Sequence, residues 1–384
     1  MRTSFEIAGR RVGGTDHCFV IAEAGVNHNG DPELARRLVD AAAAAGADAV
    51  KFQTFDPDQL AAEDAPTAAY QKRAQPVGPK PGAREATGEE SPREESPREE
   101  SPREESPREE SQREMLRGLV LTPAMHHELK KRAEDLGILF LSSPFDERSA
   151  DFLEQLGVPA LKIPSGELTN HPFLAHLARK GLPLLMSTGM CTLAEVGDAV
   201  KVIAEHGDPP LALFHCVSSY PARPIDANLR AMSTMRAAFG RPVGWSDHTP
   251  GLDISTAAVA LGAELIEKHL TMDRELPGPD HRASLNPAQL AELIAAVRNV
   301  SAAIGDGEKK PVEAEREIAR VARKSLHFSV PLAPGTTLQS RHLVALRPGT
   351  GIPPGLREAL CGRVLRRPAL PGQMVDEEML EPLR

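Results

Sequence analysis

The sequence predicts a (β/α)8 TIM barrel followed by a small, mostly β domain, and three observations carry the prediction. Eight short apolar runs alternate with helical patterns from the N-terminus to about Gly305. Cap and turn residues punctuate them where strands and helices must end. Beyond Arg323 the pattern changes to short apolar runs broken repeatedly by Pro and Gly.

The expected strands are Cys18–Ala24, Ala47–Gln53, Ile138–Ser142, Ala160–Pro164, Pro183–Ser187, Leu211–Cys216, Pro242–Ser246 and Glu264–His269. Each is a brief run rich in Val, Ile, Leu and Phe, the composition of strands buried on both faces of a parallel sheet. Between them, Asp31-Pro32, Thr122-Pro123 and Asn286-Pro287 each set a capping side chain before a Pro suited to the first helical position. Thr192 to Glu195 has the spacing of a capping box. Gly46, Gly137, Gly157, Gly181 and Gly262 precede strands as helix-ending residues. An open doubly wound sheet is the competing architecture, but no Gly-rich dinucleotide fingerprint follows the first strand.

The barrel is expected to occupy residues 1–305, with 306–323 a polar, Lys/Glu-rich linker with some helix. Residues 324–384 form a turn-rich module near the lower size limit for independent folding, expected to lean on the barrel or on a partner subunit. Between the second and third strands stand four copies of Glu-Glu-Ser-Pro-Arg and one Glu-Glu-Ser-Gln-Arg, from Glu89 to Arg113. Pro at every fifth position prevents a continuous helix and the run has no apolar face, so a solvated loop or extended arm is expected.

Of 384 residues 41% are hydrophobic, enough for a substantial core. The formal net charge is −9, of which the five pentapeptides supply −5; this argues against nucleic acid or an anionic membrane as partner. Cys18, Cys191, Cys216 and Cys361 are widely spaced and form no paired motif, the usage of a reducing compartment. With no signal-like N-terminus and no apolar stretch long enough to span a bilayer, the protein reads as cytoplasmic.

In such a barrel the active site forms at the C-terminal ends of the strands. Read in order, those ends give Glu23, Asn27 and His28; Lys51 and Gln53; Ser142 and Ser143; Lys162 with Ser165, Gly166 and Glu167; Ser187 to Gly189; His215 to Tyr220; Ser246, Asp247 and His248; and Glu267, Lys268 and His269. A solvent boundary accounts for polar strand ends but not for Lys51 and Lys162 inside apolar strands. His248 and His269 end adjacent strands, where two imidazoles can share one cation and leave positions for water or substrate. The lysines and the Ser-Gly segments at 165–166 and 187–189 suit a phosphate and a carboxylate.

The stretches Ile21-Ala-Glu-Ala-Gly-Val-Asn-His28, Val50-Lys-Phe-Gln53, Lys162-Ile-Pro-Ser-Gly-Glu167, Ser187-Thr-Gly-Met190, His215-Cys-Val-Ser-Ser-Tyr-Pro221, Trp245-Ser-Asp-His-Thr249, Glu267-Lys-His269 and Pro277-Gly-Pro-Asp280 resemble, in order and spacing, the sialic acid synthase family. Lys324-Ser-Leu326 and Arg347-Pro-Gly-Thr-Gly-Ile-Pro-Pro354 resemble its C-terminal SAF (antifreeze-like) domain. The resemblance implies a metal-dependent condensation of phosphoenolpyruvate with an N-acetylmannosamine-type aldose. By that resemblance His248 and His269 hold a divalent metal, manganese foremost with magnesium or cobalt as substitutes. Lys51, Lys162, Ser165, Ser187 and Ser246, with Ser143 and Gly166 beside them, serve phosphoenolpyruvate. Glu23, Gln53, Tyr220 and Asp280 face the sugar or the metal-bound water, and Glu23 or Glu167 handles the water. Arg347 reaches from one subunit into the barrel of another, which implies a domain-swapped homodimer. Ser143, Ser218 and Pro164 depart from the commoner family residues on the phosphate and sugar sides.

Three alternatives stand beside this. The same chemistry on 2,4-diacetamido-6-deoxymannose is the legionaminate branch. A carbohydrate-binding protein that has lost catalysis would need no metal and phosphate apparatus. A condensing enzyme for a phosphorylated aldose would lack the C-terminal module.

Overall fold

The computed structural model describes residues 4–14, 17–63, 65–66 and 111–382. The chain divides into two compact units, Met1–Gly305 and Asp306–Arg384.

The first unit opens with a hairpin that the apolar pattern did not announce, β1 (Phe5–Ile7) against β2 (Arg10–Val12). Its strands are three residues each, too short for alternation to stand out. Eight parallel strands follow: β3 (Phe19–Gly25), β4 (Ala49–Thr54), β5 (Leu139–Pro144), β6 (Leu161–Ile163), β7 (Leu184–Ser187), β8 (Leu211–Cys216), β9 (Val243–Asp247) and β10 (Leu265–His269). They pair in chain order and close through β10 against β3, with Leu265 opposite Phe19 and His269 opposite Glu23. Every strand end lies within two residues of its expected place. This is the (β/α)8 barrel the sequence predicts.

Local chemistry explains the boundaries. Asp31 accepts from the Glu33 N–H, Thr122 from Met125 and Asn286 from Gln289, each ahead of a Pro in the first turn. Thr192 and Glu195 form the expected capping box at the helix Leu193–Glu205. Gly157 ends the helix Glu147–Leu156 at φ 76°, where a side chain would cost about 1 kcal/mol.

The alternation of each strand divides two cores. Val20, Ala22, Val50, Phe52, Phe140 and Trp245 pack outward under the helices. Phe19, Ile21, Ala49, Leu141, Leu185, Phe214 and Leu265 point inward, joined by Ile7 and Val12 of the hairpin, which plugs the N-terminal mouth. Among the described residues the polar end of the barrel interior is therefore the one at the C-terminal ends of these strands.

Asp48 ties the plugged end together. Its carboxylate accepts from Arg10 Nη1 at 3.1 Å, His17 Nε2 at 3.1 Å, the Val20 N–H at 2.8 Å and Arg298 Nη2 at 2.7 Å. Burial alone would raise its pKa, but the bonds from His17, Val20 and Arg298 outweigh burial and hold it at about 2. A depressed carboxyl stabilises the fold above its unfolded pKa of about 4, and that stabilisation, about 2 kcal/mol, is lost as pH falls toward 2. Asp48→Asn should therefore lower the unfolding free energy by about 2–3 kcal/mol at pH 7. Urea unfolding at pH 7 and at successively lower pH checks this: the gap from wild type should close as the pH drops below about 4.

The expected arm at 89–113 lies outside the described residues except for Ser111, Gln112 and Arg113. Its base is well defined. Ser111 caps the helix Gln112–Arg117 in a capping box with Glu114. The Gln112 N–H donates to Ala65 O at 3.1 Å, Arg113 Nε to Ala61 O at 2.9 Å, and Arg117 Nη2 to Asp58 Oδ1 at 2.8 Å. The described residues on either side of positions 67–110 thus meet in a hydrogen-bonded stem.

The second unit includes residues 306–323, the expected linker, which contribute a ten-residue helix, Glu313–Ala322. It continues with β11 (Ser325–Phe328) antiparallel to β12 (Leu343–Leu346) and short antiparallel bridges such as Leu332 with Ala369 and Leu365 with Leu380. Leu326, Phe328, Leu338, Leu343, Leu365 and Met379 form its own small core. Among the described residues no helix is long and apolar enough to cross a membrane. All four cysteines are free thiols.

Candidate active site

Moving up the barrel interior, apolar layers give way to charge. On β3 the inward series runs Phe19, Ile21, Glu23; on β4, Ala49, Lys51, Gln53; on β10, Leu265, Glu267, His269. The last members line a cavity of about 360 Å³. Ser143, Lys162, Ser165, Gly166, Ser187, Tyr220, Ser246, His248 and Asp280 line it as well.

At its floor, four buried charged side chains meet. Lys51 Nζ lies 3.1 Å from Glu23 Oε2 and 3.3 Å from Glu267 Oε2, and Lys162 Nζ lies 3.5 Å from Glu267 Oε1. Lys51 donates to Ser143 Oγ at 3.0 Å, Lys162 to Ser187 Oγ, and Ser246 to Glu267 Oε1 at 2.9 Å. Burial opposes the charge of Glu267, but Lys162 and Lys51 overcome it and hold the carboxyl at about 2. Burial raises Glu23 to about 7 against the pull of Lys51, with the Glu267 charge adding to the rise. Near neutral pH the group therefore holds two amines, one ionised carboxylate and one half-protonated carboxyl, and it can accept an anion. Burying such a cluster stabilises nothing by itself, which marks it as functional.

The two histidines stand above the floor with ring centroids 5.3 Å apart. His248 Nδ1 donates to Val217 O at 2.8 Å, leaving Nε2 without a hydrogen bond among the described residues. Buried His269 Nδ1 has no hydrogen-bond partner among the described residues and lies 3.8 Å from Asp280 Oδ2. Burial keeps both rings neutral, His248 with a pKa of about 4 and His269 well below its ordinary value. Neutral imidazoles with bare nitrogens fit a cation. No group of three or more His, Cys, Asp or Glu converges on one point among the described residues, so such a site would be open to water and substrate. Tyr220 packs on His248 at a centroid distance of 4.2 Å.

Two expected residues stand apart. Glu167 lies in the turn Ser165–Glu167, where its Oε2 accepts from Asn170 Nδ2 at 2.8 Å, and it is absent from the cavity lining. Arg347 belongs to the second unit, is exposed, and donates from Nε to Ala322 O at 3.1 Å. The backbone N–H of Gly189, expected to meet an anion, instead donates to Ser165 Oγ at 3.0 Å.

Sequence reasoning left Glu267 without a role, although it bridges both lysines. The signal was present: period-two alternation sends Glu267 inward with His269, and Lys268 outward to Asp247 at 2.8 Å. It also left unmarked an apolar wall of Val26, Phe55, Leu60, Met115, Leu116, Leu119 and Phe145, brought together by loops and the stem helix.

Comparison with known proteins places the chain among sugar-acid synthases. The NeuB family model matches residues 38–85 and 83–309. N,N'-diacetyllegionaminic acid synthase from Legionella pneumophila is 45% identical over 341 residues, covering 88% of this chain and 87% of that protein. N-acetylneuraminate-9-phosphate synthase from Homo sapiens is 34% identical over 333 residues, covering 86% of this chain and 83% of that protein. The crystal structure of N-acetylneuraminic acid (sialic acid) synthetase from Leptospira borgpetersenii serovar Hardjo-bovis in complex with citrate superposes with a TM-score of 0.68 at 32% identity, covering 83% of this chain and 95% of that one.

Proposed function

The chain belongs to the NeuB family, the sialic acid synthases, and from that premise we propose that it condenses phosphoenolpyruvate with an acetamido aldose and water, releasing a nonulosonic acid and phosphate. The observation that carries the reading is the buried Lys51–Glu267–Lys162 cluster beneath two neutral histidines.

The residues divide the work. Lys51 and Lys162, with Ser143, Ser165 and Ser187, hold the phosphate and carboxylate of phosphoenolpyruvate. Carbon C3 of the enol then forms a bond to the sugar aldehyde carbon, whose oxygen gains a proton. Water adds to the cationic C2, and phosphate leaves with the proton of the new C2 hydroxyl as the C2–O bond breaks to give the ketone. Glu23 takes the proton of that water: it lines the cavity, and its pKa of about 7 suits a base, whereas Glu167 hydrogen-bonds elsewhere. Gln53 Nε2 donates to Glu23 Oε1 at 3.1 Å and aims the carboxylate. Lewis-acid polarisation of the aldehyde is the chemistry that a divalent cation, manganese foremost, supplies when held by His248 and His269.

Two observations favour 2,4-diacetamido-6-deoxymannose over N-acetylmannosamine as the sugar. The Legionella pneumophila relative bears the legionaminic name, and the apolar wall suits a deoxy methyl and a second acetyl group. Phosphate release from phosphoenolpyruvate, with manganese, is to be compared for the two sugars. Release that needs both sugar and metal is expected, faster with the diacetamido sugar. Sugar binding without release under any metal would favour a carbohydrate-binding protein.

In the same proposal the second unit is an SAF domain whose Arg347 completes the barrel site of another copy. Arg347→Ala should then cut turnover by about 100-fold while the barrel stays folded. Mixing it with a Lys162→Met chain tests the exchange. A swapped dimer regains activity, because one barrel keeps Lys162 and receives an intact Arg347; no regain would refute the swap.

A further inference from the structure

Asp280 reaches the cavity from a loop between β10 and the helix Pro287–Ile304, and its carboxylate stands 3.8 Å from His269 Nδ1. Among the described residues no hydrogen bond holds that carboxylate. Its position is therefore set by the backbone that carries it, and that backbone is gripped from the loop after β3.

Asn29, at a left-handed φ of 49°, donates from Nδ2 to Pro277 O at 2.8 Å, and its Oδ1 faces His281 Nε2 at 3.2 Å. His281 is fully buried, and burial holds its pKa at about 4, so the ring carries one proton. Asn29 Oδ1 can only accept, which puts that proton on Nε2. Nδ1 then faces the Thr271 hydroxyl as an acceptor at 2.7 Å, competing with the Asp273 carbonyl, 2.8 Å away, for its one proton. Both ring nitrogens are spent on holding the loop. Gly278 lies over the pair so closely that a Cβ would come within 2.7 Å of His281 Cδ2 and 2.9 Å of Asn29 Oδ1.

A second grip starts two residues earlier. Asn27 Nδ2 donates to Leu270 O and Ser284 Oγ, each at 2.9 Å, and Ser284 Oγ donates to the carbonyl of Asp280 at 2.7 Å. Asn29, Thr271 and His281 do not line the cavity. Their bonds end on one another and on the carbonyls of Pro277 and Asp273 in the loop that carries Asp280, not on the space where substrates would sit.

We propose that Asn29, His281 and Thr271 are positioning residues, a clamp that fixes Asp280 on the sugar side of the site beside His269; this rests on the synthase reading of the cavity. Loop anchoring alone would disturb both substrates or only stability. A clamp acting through Asp280 affects the sugar selectively and has no further effect once Asp280 is altered.

The test uses the full-length chain with Asn29→Ala, His281→Ala and Asp280→Asn, and each clamp change combined with Asp280→Asn. Each clamp change alone should raise the sugar KM about tenfold or more while the phosphoenolpyruvate KM moves less than about twofold. In the Asp280→Asn background the same change should add less than about twofold. Equal shifts in both KM values, or full additivity with Asp280→Asn, would overturn the clamp. Should His281→Ala fail to fold, Asn29→Ala decides, since Asn29 sits at the half-exposed end. If wild type turns over neither sugar, the synthase reading fails on its own account. Amide exchange at Gly278, Asp280 and His281 then decides the clamp: exchange about tenfold faster in Asn29→Ala supports it, and unchanged exchange overturns it.

Discussion

Lys162→Met is expected to reduce phosphate release by about 1,000-fold or more while leaving the protein as stable as wild type. The Met side chain nearly fills the volume of the lysine stem, so the wall around Phe214, whose ring lies 5.3 Å from Lys162 Nζ, stays packed. Only the ammonium is lost. Glu267 keeps Lys51 at 3.3 Å, so no buried carboxylate is stranded. Burial already penalises the Lys162 charge and lowers its pKa, so removing it relieves a desolvation cost. A steady-state assay beside a thermal melt separates the two effects. Activity within about tenfold of wild type would show that Lys162 does not carry the anion.

Glu267→Gln, by contrast, should destabilise the protein. It leaves two amines at the floor with only Glu23 as counter-charge, and Glu23 contacts Lys51 at 3.1 Å. Leaving a buried charge unpaired costs about 3–5 kcal/mol, relieved in part when Lys162 gives up its proton. A neutral Lys162 no longer holds phosphate as an ammonium, so the KM for phosphoenolpyruvate should rise about 100-fold. Denaturant unfolding and substrate titration read the two losses together. A stable Glu267→Gln protein with an unchanged phosphoenolpyruvate KM would remove the cluster from the mechanism.

The barrel was legible because its strands are buried on both faces and its helices carry their own caps. Leu211–Cys216 could be bounded to the residue, flanked as it is by Pro210 and the Val-Ser-Ser-Tyr-Pro run after Cys216. The hairpin was not legible, since Phe5–Ile7 and Arg10–Val12 acquire meaning only when Ile7 and Val12 meet the barrel interior. In the site, Lys51, Lys162, His248 and His269 announced themselves as polar residues at the ends of apolar strands. Glu267 did so equally, but its pairing with two lysines from β4 and β6 depends on closure of the barrel. Glu167 is the converse case: adjacent to Ser165 and Gly166 in sequence, it turns back on Asn170. Asn29 and His281 stand 252 positions apart, a separation no local pattern can bridge.

The stem of Ala65 and Gln112 bears on how this chain can change over generations. Among the described residues the bonds that close it join residues 58–65 to 111–117, so a change of length between them leaves those bonds in place. Doubling a closed loop costs only about 0.6 kcal/mol. A pentapeptide array of this kind can gain or lose copies by slippage in the coding DNA, always in frame, without disturbing the stem. Copy number here should drift nearly freely, as a clock of recent descent.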